Sequence, residues 1–211
     1  MSRSLAGTQG GLDRIDVIMI DAGNIAAILL AAGQSRRFGA DDKLLAELDG
    51  EPLGLHVARR MVELAAGRLI AVCSSAEGPL AHELGAAGFE IVSNPYPERG
   101  LSHSLAKGIK LAAEGGAEAA LVCLADMPFV SIGHLRALLA QFDPENTPVV
   151  ASDRDGTAMP PALFARSVFD RLQQGQGDQG GRALLAAATR AAAGEGELAD
   201  IDLPEDLLRQ R

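Results

Sequence analysis

The chain predicts a single three-layer α/β/α domain on a mostly parallel, Rossmann-like sheet. Three observations carry that expectation. Ile25-Ala26-Ala27-Ile28-Leu29-Leu30 and Ala120-Leu121-Val122-Cys123-Leu124 are short, continuous apolar runs, the pattern of strands buried on both faces. Such runs alternate along the chain with stretches of helical length, which is the order of βα units. Finally, the 47% hydrophobic content comes mainly from Ala, Leu, Val and Ile, with one Tyr, six Phe and no Trp, a profile suited to helices packed on a sheet. At 211 residues the chain is long enough to bury one substantial core. Residues 1–24, polar and glycine-rich to Gly11 and then briefly apolar over Ile15 to Ile20, are set apart as a partly disordered extension, leaving 25–211 as the domain.

The elements follow in order. After the strand at 25–30, residues 44–48 read as a short extended segment closed by the Asp49-Gly50 turn. A helix is expected over about 53–66, a strand at 68–74, a weak helix near 78–86 and a strand at 89–92. A helix at 102–114 then leads to the strongest strand, 119–125. Ser131 is placed to cap the next helix, which runs to about Phe142, and Pro148-Val149-Val150-Ala151 reads as another strand. Residues 152–182 are expected to wall a second-substrate site. Gly194-Glu195-Gly196 forms a loop before a last strand at 198–201, and Pro204 opens a terminal helix, where its missing N–H costs little.

The chemistry concentrates where the first strand ends. Leu30-Ala31-Ala32-Gly33-Gln34-Ser35-Arg36-Arg37-Phe38-Gly39, followed by Lys43, puts glycines and cations at a strand's carboxyl tip, the usual place for a ligand crevice in open α/β sheets. Glycines let backbone N–H groups approach phosphate oxygens, and Arg36, Arg37 and Lys43 supply neutralising charge. Neither a P-loop nor a G-x-G-x-x-G spacing is present, so from the loop alone an ordinary βα turn with solvated arginines competes with phosphate binding. The net charge of −9 makes a local basic cluster the more pointed, since a polyanion has to be attracted locally. That same charge, with few aromatic rings, argues against a nucleic-acid partner.

The run Leu30 to Gly39 with Lys43-Leu44-Leu45 resembles the L-A-A-G-x-S-x-R-x-G…K-L signature of the MobA-like nucleotidyltransferases, and is most similar to their molybdenum cofactor cytidylyltransferase branch. The likeness continues in order through Asn94-Pro95 to Gly100, Ser104 and Gly108; Leu124-Ala125-Asp126-Met127-Pro128; Gly177 to Arg182; and Asp200 to Leu207. The fold so implied is of the nucleotide-diphospho-sugar transferase (GT-A) type. The resemblance implies Mg²⁺, or Mn²⁺, held by Asp126 and Asp202, with Asp200 the competitor to Asp202; a turn role for Asp126 and a helix-capping role for Asp202 are the bland alternatives. It implies a nucleotide held by Leu30, Ala31, Ala32, Gly33, Ser35, Arg36, Arg37, Gly39, Lys43, Asn94, Gly100 and Ser104, with Arg37, Lys43 and Asp126 in catalysis. The Asn94 amide suits a base edge or ribose, against turn formation with Pro95.

Asp178 and Arg182 are implied in acceptor binding, in a segment that resembles G-D-x-G-A-R but has Gly181 for Ala. Met159-Pro160-Pro161 departs from the relatives' Gly-x-Pro, which leaves the acceptor open. The activity implied is transfer of CMP from CTP to the phosphate of molybdopterin or the molybdenum cofactor, with transient contact to a molybdenum hydroxylase. CTP over GTP rests on the Ala32-Gly33 pair, whose methyl crowds a purine more than a pyrimidine. A guanylyltransferase, another acceptor, or a non-catalytic cofactor chaperone are the alternatives. Cys73 and Cys123 lie in apolar runs without metal spacing, and no membrane-length or signal-peptide segment is seen, so a cytoplasmic protein away from membranes is expected.

Overall fold

The computed structural model describes residues 20–33, 42–174, 179–201 and 206. In chain order the elements are β1 (Ile25–Ala31), the hairpin β2 (Glu47–Leu48) and β3 (Glu51–Pro52), α1 (Leu53–Glu63), β4 (Arg68–Cys73), α2 (Pro79–Ala86), β5 (Glu90–Ser93), α3 (Leu101–Glu114), β6 (Ala119–Leu124), α4 (Ile132–Ala140), β7 (Val149–Arg154), β8 (Thr157–Ala165), α5 (Phe169–Gln174), α6 (Gln179–Ala186) and β9 (Thr189–Ala192). The main sheet has the order β5-β4-β1-β6-β8-β7-β9. Only β8 runs against the rest, pairing antiparallel with β6 and β7, so β1, β6, β7 and β9 all end on one edge.

The expectation of a mostly parallel three-layer sheet is met, and β1 shows why. Its alternate side chains enter two cores: Ile25, Ala27 and Leu29 meet α1, α2 and α4, while Ala26, Ile28 and Leu30 meet α3, α5 and α6. Ser131 caps α4 as expected, its Oγ accepting from the His134 N–H at 3.1 Å. The thiols of Cys73 and Cys123 are buried, and loss of hydration pushes them up to about 11 and about 12. Among the described residues no helix is long and apolar enough to cross a membrane.

Two features add to the sequence reading and a third corrects it. Ala22–Asn24 form a 3₁₀ turn capped by Asp21 and docked on the domain, with the Gly67 N–H donating to the Ala22 carbonyl at 3.0 Å. Any Cβ on Gly67 would stand 1.9 Å from the Gly23 carbonyl oxygen, so glycine permits that contact. The chain therefore already packs on the domain ahead of Ile25. Residues 152–182, expected only as a wall of a second-substrate site, contain β8, α5 and the start of α6, elements that were not separated in the sequence. Conversely, 198–201 is not a strand: Leu198 and Ile201 bury their side chains without a ladder partner. The helix expected from Pro204 lies outside the described residues, apart from a helical Asp206.

Candidate active site

The site begins where the two central strands stop. β1 and β6 are hydrogen-bonded in parallel, and the Ala125 N–H extends their ladder by donating to the Leu30 carbonyl at 3.1 Å. Asp126, the next residue, leaves the sheet at its carboxyl edge. Lys43 arrives from the other side on a 3₁₀ turn whose first N–H groups are capped by Asp42, with the Leu44 N–H donating to Asp42 Oδ1 at 3.1 Å. Its ammonium donates to Asp126 Oδ2 at 2.9 Å, with the lysine side chain 11% and the aspartate 29% exposed. A charge-assisted bond in so little water is electrostatically strong.

Beside this pair lies a cleft of about 330 Å³ lined by Leu30, Ala32, Gly33, Pro97, Glu98, Gly100, Leu101 and Ser104. Five of these, Leu30, Ala32, Gly33, Gly100 and Ser104, were expected from the sequence, and Ala31 continues β1 just beneath them. Gly100 has φ 83°, the left-handed region that favours glycine, and it opens α3 without a side-chain cap, with the His103 N–H donating to the Gly100 carbonyl at 3.2 Å. Asn94 is fully buried, donating from Nδ2 to Ser104 Oγ at 2.8 Å and accepting from the Tyr96 N–H at Oδ1. The amide read as a base-edge or ribose contact thus engages one N–H and its oxygen within the protein, and, buried as it is, would act on a ligand through Ser104. Since Ser104 Oγ accepts from Asn94, its own O–H is left to donate.

Ser35, Arg36, Arg37 and Gly39, like Asp178 and Asp202, lie outside the described residues. Ile201, just before Asp202, donates its N–H to the Asp126 carbonyl at 3.0 Å. The competitor Asp200 is tied to Arg154 at 3.0 Å. Arg182 is exposed on α6, whose Gly181 faces Leu105, near the opening of α3. Among the described residues no three His, Cys, Asp or Glu cluster as a metal cage. One strand-tip carboxylate such as Asp126 nonetheless fits a hard divalent cation that keeps phosphates and waters in the rest of its shell. Sequence reasoning missed Glu98, which among the described residues is the one ionisable group lining the cleft; its place two residues before Gly100 was the available signal.

The family model described as the MobA-like NTP transferase domain matches residues 27–193. Purine catabolism protein PucB of Bacillus subtilis is 31% identical over 204 residues, covering 86% of this chain and 93% of that protein. A molybdenum cofactor guanylyltransferase of Cereibacter sphaeroides is 32% identical over 190 residues, with the same two coverages, 86% and 93%. Among solved structures, a nucleotidyl transferase from Methanothermobacter superposes with a TM-score of 0.72 at 24% identity, covering 89% of this chain and 95% of that one. A Mycobacterium tuberculosis protein solved in complex with manganese gives 0.64 at 21% identity, covering 88% and 96%. The two structures share the fold: a mostly parallel central sheet flanked by helices.

Proposed function

We propose that this chain, which belongs to the MobA-like NTP transferase family, transfers a nucleotidyl group from a nucleoside triphosphate to the terminal phosphate of molybdopterin or its molybdenum form. The observation that carries the reading is the Lys43–Asp126 pair at the tips of β1 and β6, beside a cleft of nucleoside size. An oxygen of the acceptor phosphate forms a bond to the α-phosphorus, the bond from that phosphorus to the bridging oxygen of pyrophosphate breaks, and pyrophosphate leaves. The acceptor phosphate is already ionised, so the residues need not take a proton; they position and neutralise. Lys43, with Arg37, faces the triphosphate, and the Ala32–Gly39 backbone cradles it. Asp126, with Asp202, would hold a divalent cation, Mg²⁺ or Mn²⁺, which when bound offsets charge on the phosphate oxygens. Asp178 and Arg182 complete the acceptor side.

Guanylyl transfer is the first reading of the base, supported by the name of the Cereibacter relative and by Glu98. A carboxylate can accept two adjacent N–H groups from guanine, at N1 and N2, but only the N4 amino group from cytosine. Cytidylyl transfer, expected from the sequence, is the second reading, favoured by the Ala32 methyl at the cleft wall. A cytoplasmic setting and delivery of the product to a molybdenum hydroxylase belong to the same proposal. Pyrophosphate release from the purified chain with molybdenum cofactor, Mg²⁺ and either GTP or CTP tests it. Release with GTP supports the first reading and release with CTP alone the second. Silence with both, with the triphosphate bound, contradicts nucleotidyl transfer to this acceptor.

A further inference from the structure

The chain that returns from β9 reaches Asp126 without a helix or strand of its own. Residues 193–201 are shaped by two tight turns, the Glu197 N–H donating to the Gly194 carbonyl at 3.2 Å and the Ala199 N–H to the Gly196 carbonyl at 3.0 Å, and by the burial of Leu198 and Ile201. With the end of β7 the segment encloses a second cleft of about 430 Å³, lined in part by Asp153, Arg154, Asp155 and Glu195. It ends on the site itself, where the Ile201 N–H donates to the Asp126 carbonyl at 3.0 Å. That bond reaches the aspartate side chain through the backbone. Ahead of Asp126, the Ala125 N–H is fixed to the Leu30 carbonyl at 3.1 Å; behind it, Ile201 fixes the next peptide plane. With both planes held, the two soft dihedrals of Asp126 are set, and so is the direction in which its carboxylate leaves the chain to meet Lys43 at 2.9 Å.

Arg154 holds this segment down. Its Nη1 donates to the Leu198 carbonyl at 2.8 Å and to Asp200 Oδ1 at 3.0 Å, gripping the chain on either side of Ala199 and just ahead of Ile201. The base of the grip is stiff. Arg154 ends β7 and pairs with Thr157 across a two-residue turn in which Asp155 and Gly156 have φ 53° and 79°, the positive pair that a tight hairpin requires. Arg190, from β9, donates to the Gly156 carbonyl at 2.6 Å and ties that turn to the neighbouring strand. Asp200, which the sequence offered as a cation ligand, is engaged here as a tether. Arg154 and Asp200 are both half-exposed, and exposed ion pairs add little to overall stability, so the grip acts on its own segment rather than on the fold.

We infer that Arg154 is a positioning residue for the proposed reaction: by clamping Leu198 and Asp200 to the end of β7 it seats the Ile201 N–H on the Asp126 carbonyl, and thereby aims the Asp126 carboxylate. This rests on the nucleotidyl-transfer reading, to which it adds a residue two strands away from the reacting groups.

Amide hydrogen exchange of the full chain, followed residue by residue by NMR, tests the clamp directly, beside pyrophosphate release with the preferred triphosphate. Arg154→Met keeps the length of the side chain and removes its donors. Ile201 should then exchange at least about tenfold faster while the amides of β1 exchange as in the native chain. Turnover should fall at least about tenfold with the KM for triphosphate within about twofold, because misaimed groups cost more in the transition state than in binding. Arg154→Lys, which retains a charged donor, should restore part of both. Asp200→Asn, which keeps an oxygen to accept from Arg154, should leave Ile201 better protected and lose less turnover than Arg154→Met. Unchanged Ile201 exchange in Arg154→Met would overturn the inference, as would faster exchange with native turnover, or equal loosening of Ile201 and β1. A larger loss in Asp200→Asn than in Arg154→Met would make Asp200 a ligand rather than a tether and overturn it too. Ile201 loosened as expected, in a chain whose native form releases no pyrophosphate with either triphosphate, would support the clamp and instead overturn the nucleotidyl-transfer reading.

Discussion

Lys43 and Asp126 are 83 residues apart in the chain and 2.9 Å apart in space, and each neutralises the other at a strand tip where little water reaches. On the proposed reading a bound triphosphate would give the ammonium a stronger partner and leave the carboxylate to a cation, so that the same two groups would serve the resting and the loaded site. Asn94 works at one remove. Its buried amide bridges the Tyr96 N–H and Ser104 Oγ, which fixes the residues on either side of Gly100. Asn94→Ala should lower stability by roughly 1–3 kcal/mol, the cost of stranding buried polar groups, and should weaken triphosphate binding as Ser104 loses its orientation. Urea unfolding with calorimetry checks both. Unchanged binding in a destabilised variant would make Asn94 purely structural. Its sequence context, Asn before Pro, pointed to this segment but carried no sign of burial.

Elements were legible in proportion to how regular their burial is. β1 and β6 lie between helices on both faces, so they are apolar throughout and were readable as strands. β8 was not, because Pro160 and Pro161 sit inside it. The structure accommodates them where the β7–β8 register shifts, between the Ala151–Ala162 and Ser152–Met159 pairs, and beyond the stretch paired with β6. β9, Thr-Arg-Ala-Ala at the sheet edge, has three of four residues exposed and thus no apolar pattern to read. Behind these strands His134 joins α4 to β7: its Nε2 is 2.7 Å from Ser152 Oγ, which also reaches the Pro161 carbonyl at 2.7 Å.

Burial lowers the His134 pKa, while the carboxylate of Glu197 and the Ala192 carbonyl pull it back in part. The folded state therefore binds this proton less readily than the unfolded chain. His134 should cost no stability above about pH 6.5, the unfolded value, and should lower it progressively as the pH falls below that and through the folded value. Urea midpoints measured from pH 8 to 5 should show that decline, and His134→Gln should flatten it. An identical slope in the variant would remove His134 as the cause.

At the scale of the whole molecule, six parallel strands end on one edge and present Asp126 between two clefts, one beside β1 and α3 and one beyond β7 and β9. The first cleft was readable in outline, because Leu30 to Gly33 and Gly100 to Ser104 occur in the order of a known signature. The second was not, because its acids come from a hairpin turn and a loop that no local pattern joins; the parallel pairing of β7 with β9 brings Asp155 and Glu195 together. Such an arrangement makes one demand above the others: chemistry has to depend on the carboxylate in the middle. The most direct test is pyrophosphate release by Asp126→Asn against the native chain, with molybdenum cofactor, Mg²⁺ or Mn²⁺ and the preferred triphosphate. Loss of at least about a hundredfold in turnover, in a variant whose urea transition stays cooperative although its midpoint falls with the loss of the Lys43 ion pair, is the expected result. Turnover within a few-fold of native would contradict a reaction centred on Asp126.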